Sequence, residues 1–121
     1  MSGTEKLLFD TTDPRGYRII LSSERYNNHI ISSVDHNAHN EFTPEEIKAC
    51  IEEPEVIYQS KNLPSSDLYF GRTSVRYPTL FLRTAVAIDE ETKTGEVATA
   101  HLSKKLSGGD GLKYVNYRSK L

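Results

Sequence analysis

An alcohol, an imidazole and two ammonium groups fall within the seven residues Thr99-Ala100-His101-Leu102-Ser103-Lys104-Lys105. Histidine exchanges a proton near neutral pH, a threonine hydroxyl hydrogen-bonds an anionic oxygen, and lysine neutralises its charge, so the grouping suits a phosphate ester. Arg83 belongs with them. It interrupts the apolar run from Leu80 to Ile88 and requires a carboxylate, water or phosphate for its guanidinium. Arg72, at the end of the preceding apolar stretch, is a further candidate phosphate binder. His29 shares a helical stripe with Tyr26, Ile30 and Val34, where it is equally a proton-transfer group or a packed, hydrogen-bonded histidine. His36-x-x-His39 with Glu41 lies in a polar stretch without a cysteine or a fourth ligand, so no metal and no other cofactor is expected. The lone Cys50 sits inside a helical pattern and reads as a small buried hydrophobe. The Gly108–Gly111 segment offers backbone donors to an anion but lacks the Gly-Lys-Ser/Thr ending of a nucleotide loop.

These groups need elements to hold them. Alternation over Glu96–Ser103 predicts a strand with Ala98, Ala100 and Leu102 on one side and Val97, Thr99 and His101 on the other. The Asp89–Gly95 connector is of hairpin length, so this strand should pair antiparallel with the one over 80–88, bringing Arg83, Thr99 and His101 to one face. Upstream, residues 1–16 read as a polar lead-in ending at the turn Asp13-Pro14-Arg15-Gly16, and residues 17–121 as a single domain. Tyr17–Leu21 is a short strand candidate, and Ser22 or Ser23 can cap a helix running to about Ser33. The next helix carries four agreeing signals: Thr43 as N-cap, Pro44 at the first position, Glu46 completing a capping box, and Phe42 placed to staple onto Ile47. Strand candidates follow at 55–59, 68–72 and 80–88, with a further edge strand over 112–117. Helices before strands, without βαβ alternation, predict an α+β domain with two N-terminal helices on one face of a four- to five-stranded antiparallel sheet and the other face open.

At 121 residues and 36% hydrophobic, the chain suffices for one core of ordinary size. The absence of a long apolar run, and a start without the basic-then-apolar layout of a signal peptide, lead us to expect a cytoplasmic protein with no membrane partner. The net charge of −2 divides into −6 over residues 1–60 and +4 over residues 61–121. A basic C-terminal half can steer a polyanion despite the acidic total, although solvated surface charge has the same appearance.

The order Tyr26-x-x-His29-Ile30, then Ile51-Glu52-Glu53-Pro54-Glu55-Val56-Ile57-Tyr58, then Val97-Ala98-Thr99-Ala100 resembles the phage-type nucleases of the barnase, EndoU, colicin and RelE-like (BECR) superfamily over roughly residues 20–117. The resemblance implies a metal-independent endoribonuclease of phage or toxin type acting on tRNA, mRNA or rRNA, with a cognate inhibitor or antitoxin protein as a second partner. It matches His29 and Thr99 to functional positions, with Arg72 or Arg83 binding phosphate. Residue chemistry adds His101 as acid or base and Lys104 and Lys105 as phosphate contacts. The same fold without activity, binding RNA or protein through the open face, is the alternative.

Overall fold

The structure, a computed structural model, describes residues 6–27, 43–61, 63, 65–72, 81–104, 106 and 109–116. Along them run β1 (Leu7–Thr12), β2 (Arg18–Ser22), α1 (Ser23–Arg25), α2 (Pro44–Glu52), β3 (Val56–Ser60), β4 (Ser66–Arg72), β5 (Phe81–Asp89), β6 (Thr94–Ser103) and β7 (Gly109–Val115). The strands form one sheet in the order β1-β2-β6-β5-β4-β3-β7. β3 to β6 make an antiparallel meander, β1 and β2 a hairpin, and β7 an edge antiparallel to β3. β2 joins β6 in parallel through Arg18–Ile20 and Thr94–Glu96, a pairing made possible by the long crossover between them.

The helix α2 starts as its capping signals require. Thr43 accepts from the Glu46 amide, the Glu46 carboxylate accepts from the Thr43 amide, and Pro44 occupies the first turn. Its stripe of Ile47, Cys50 and Ile51 is buried against Tyr69, Leu82, Val86, Val97 and Ala100 of the sheet. Full burial of Ile47 and of Ile51 stabilises by about 1.5–3 kcal/mol each. Gly71 permits the close approach. A Cβ there would lie 2.9 Å from Cys50 Sγ and 3.1 Å from Cys50 Cα.

In β5 the alternation holds: Leu82, Thr84 and Val86 are buried toward the helix, while Arg83 and Ala85 are half-exposed on the other side. In β6 it does not. Ala85 is opposite Thr99 but Val86 is opposite Val97, so Ala98 is an extra residue in a β-bulge. The bulge reverses the phase, and Val97 joins Ala100 in the core rather than sharing the side of Thr99 and His101.

The expected four- to five-stranded sheet beneath two N-terminal helices is therefore corrected. The chain opens with a hairpin, seven strands are paired, and α1 spans three residues capped by Ser22 before a π-type turn through Asn27. The predicted continuation of that helix, with His29, and the stretch with His36, His39 and Phe42, lie outside the described residues. β1 falls within the segment read as a lead-in because its alternate residues Asp10 and Thr12 face outward and Thr11 bonds to Glu52 of α2, which dilutes the apolar pattern. Gly109 and Gly111, read as loop, belong to β7. A Cβ on Gly109 would lie 2.5 Å from Tyr58 Cβ, so β7 can lie against β3 there only with glycine. The face away from α2 is not open along its length either. Leu68 and Phe70 are fully buried there, with Phe70 packed edge-to-face against Tyr58 and Phe81 at 6.2 and 6.4 Å between ring centroids.

Candidate functional site

Antiparallel pairing sets Arg83 opposite His101 on the face away from α2, with Nη1 3.2 Å from Nε2. A guanidinium carries donors only, so a hydrogen bond across this contact uses Nε2 as its acceptor. Arg83 is half-buried, and loss of hydration holds its pKa below the ordinary arginine value. Thr99 lies two positions before His101 on the same strand face, opposite Ala85, roughly 6–7 Å away along the strand. Three of the residues proposed from sequence are thus gathered by one hairpin. Arg72 is opposite Phe81 in β4, and its side chain is outside the description. Lys104 is exposed just past the end of β6. His29 and Lys105 lie outside the described residues. The assembled groups can hold an anionic oxygen between a guanidinium and a hydroxyl. For His101 to act as a base, Arg83 must first release its lone pair.

A second polar cluster, unread from sequence, lies on the helix side at the end of the core. Asp13 Oδ1 accepts from the amides of Arg15 and Tyr17, closing the turn between β1 and β2. Its Oδ2 accepts from Arg15 Nη2 at 2.9 Å and from the Tyr69 hydroxyl at 2.6 Å. Arg15 also lies 3.0 Å from Asp67 Oδ2, an ion-pair contact without hydrogen-bond alignment, while Lys113 of β7 donates to Asp67 Oδ1 at 2.9 Å. Lys113 further contacts Glu90, which accepts from Tyr17, and the Arg15 guanidinium stacks 4.3 Å over the Tyr17 ring. The Asp13 and Asp67 side chains are 0% and 1% exposed. Burial, reinforced by the bond to Asp13, pushes the Tyr69 phenol far above its usual range. Each buried charge here meets an opposite one, the arrangement of a structural network. The turn Asp13-Pro14-Arg15-Gly16 was legible as punctuation, but nothing in its spacing names partners in β4 and β7.

Cys50 is excluded from chemistry. Its Sγ donates toward the carbonyls of Tyr69 and Leu82, and burial pushes the thiol up to about 12. Among the described residues no three His, Cys, Asp or Glu side chains are grouped to hold a metal ion, and no helix is long and apolar enough to cross a membrane. Comparison with protein-family models, with curated proteins and with solved structures finds no match. The seven-stranded sheet conflicts with the fold that the superfamily resemblance implied, and the nuclease, phage and toxin affiliations drawn from it are withdrawn. Any role must be argued from the side chains alone.

Proposed function

We propose that the β5–β6 surface bearing Arg83, His101 and Thr99 binds the phosphate backbone of RNA. The contact of Arg83 Nη1 with His101 Nε2 at 3.2 Å carries the reading. It holds a half-desolvated guanidinium beside a group that gains a charge on protonation, so an incoming phosphate can take the Arg83 fork while His101 becomes a second cation. Thr99 supplies a hydrogen bond to a non-bridging oxygen, and Lys104, exposed just past the end of β6, adds a further cation, while Lys105 and the Arg72 side chain, offered by the sequence for the same role, lie outside the described parts. The +4 charge of residues 61–121 supports the approach of a polyanion.

In the catalytic form of this proposal His101, released from Arg83, takes the proton of a ribose 2′-hydroxyl. The 2′-oxygen bonds to phosphorus, the bond from phosphorus to the 5′-oxygen breaks, and the leaving oxygen takes a proton from a general acid, the role for which the sequence offers His29, outside the described residues, all without a metal. The engaged Nε2 lone pair favours the other form, binding without cleavage. An RNA target of tRNA, mRNA or rRNA type, a cytoplasmic setting and an inhibitor protein covering the same face belong to the proposal.

Fluorescence anisotropy with tRNA and with a single-stranded RNA at 50 and 200 mM salt tests it. Binding should weaken steeply with salt and fall about tenfold or more in Arg83→Gln. Cleavage that persists in chelator and drops about 10²–10⁴-fold in His101→Ala selects the catalytic form. Absence of binding at low salt, or affinity indifferent to Arg83→Gln, overturns the proposal.

A further inference from the structure

We propose that a groove at the parallel junction of β2 and β6 is a binding site for a small organic cation with an apolar body. It lies on the face away from α2, is open to solvent with a volume of about 510 Å³, and is of the size that holds small ligands. β2 and β6 are paired at three positions, and the groove runs over the face of this short seam, with Arg18, Ile20, Thr94 and Glu96 of the pairing itself in its lining. Ile20 and Ala87 form the floor and Leu7, 42% exposed, one wall. These apolar groups are in water unless a ligand covers them.

The charges at the rim choose the ligand. Arg18 is committed to Asp10 through two hydrogen bonds, so its charge is compensated within the protein. Asp89 accepts through Oδ1 from the amides of Glu91 and Thr92 and has no cationic partner among the described residues at the edge of the groove. The Glu96 side chain has no hydrogen-bond or ion-pair partner among the described residues and lines the same groove. Two uncompensated carboxylates beside exposed methyl groups repel phosphate and attract an ammonium or amidinium attached to a hydrocarbon or ring. Arg83 is four residues from Ala87 along β5, roughly 13 Å away, and Thr99, opposite Ala85, is about 7 Å from Ala87, so the groove adjoins the RNA-binding surface proposed above but is lined by none of its residues and does not depend on it.

The probe is benzylammonium, titrated into the full chain labelled with ¹⁵N, with benzyl alcohol and benzoate as neutral and anionic counterparts. Amide shifts should be confined to residues around Ile20, Ala87, Gly95 and Glu96, and benzylammonium should bind more tightly than either counterpart. Glu96→Gln should weaken it about three- to tenfold without altering benzyl alcohol. Ala87→Trp, an outward-facing change that fills the floor, should abolish the shifts while the remainder of the spectrum stays folded. Equal binding of benzyl alcohol, shifts scattered over the surface, or no shift at 10 mM probe overturns the proposal. So does preferential occupation of the groove by adenosine monophosphate, which would assign it to the nucleic-acid surface instead.

Discussion

Burial decides what individual side chains can do here. The Cys50 thiol, raised by desolvation from about 9 to about 12, should react with a disulfide reagent at pH 8 only as fast as the protein unfolds, as stopped-flow absorbance would show. Between those two values the unfolded chain releases a proton that the folded chain keeps. This thiol therefore contributes stability that is intact below pH 9 and is lost as pH rises toward 12, visible as a falling urea midpoint that Cys50→Ala makes shallower. Tyr69 tests the buried network. Its hydroxyl donates to Asp13 and accepts from Arg15, so Tyr69→Phe deprives a fully buried carboxylate of one donor and should cost about 1–3 kcal/mol in urea unfolding at pH 7. Arg83 could be singled out from sequence because it breaks an apolar strand. Tyr69 and Asp67 could not, since alternation places them without naming what they touch.

At the scale of elements, α2 was readable nearly residue by residue because capping is a local interaction, complete within four positions. Thr43→Ala removes the side-chain half of the reciprocal bonds and should cost about 1 kcal/mol, measured by thermal or urea unfolding. The docking of the same helix rests on a position far away in sequence. Gly71→Ala forces a methyl against Cys50 Sγ and Cα and should destabilise by about 1–3 kcal/mol through helix displacement, more than an alanine normally costs a strand. The β6 bulge was invisible to a period-two reading, because Ala98 is small enough for either side and only the pairing with β5 shows which residue is extra. His101 and Thr99 nevertheless share the side of Arg83, since both follow the bulge and the phase is regular from there.

Across the whole molecule, one buried carboxylate ties the two sides of the sheet together. Asp67 meets Arg15 from the β1–β2 turn and Lys113 from the opposite edge strand β7, so the curled sheet is closed at that end by ion pairs rather than by backbone pairing. Arg15→Met removes the cation shared by Asp13 and Asp67 and should cost about 2–4 kcal/mol, somewhat below the roughly 3–5 of a fully buried pair because Arg15 keeps 16% exposure and Asp67 retains Lys113. Arg18→Met, whose guanidinium is 63% exposed, should leave the urea midpoint nearly unchanged. Hydrogen exchange in β1 and β7 should rise together in Arg15→Met if the network joins the edges, and separately if it does not. What the sequence determined by itself were the features carried by near neighbours: the capped helix α2, the alternating face of β5 that presents Arg83, and the hairpin that sets β5 against β6. Tertiary structure decided the rest. The tie of β1 to α2 through Thr11 and Glu52, the incorporation of β7, the parallel seam beneath the groove, and the Asp67 network all join residues tens of positions apart, where spacing along the chain carries no information and packing and charge pairing select the partner.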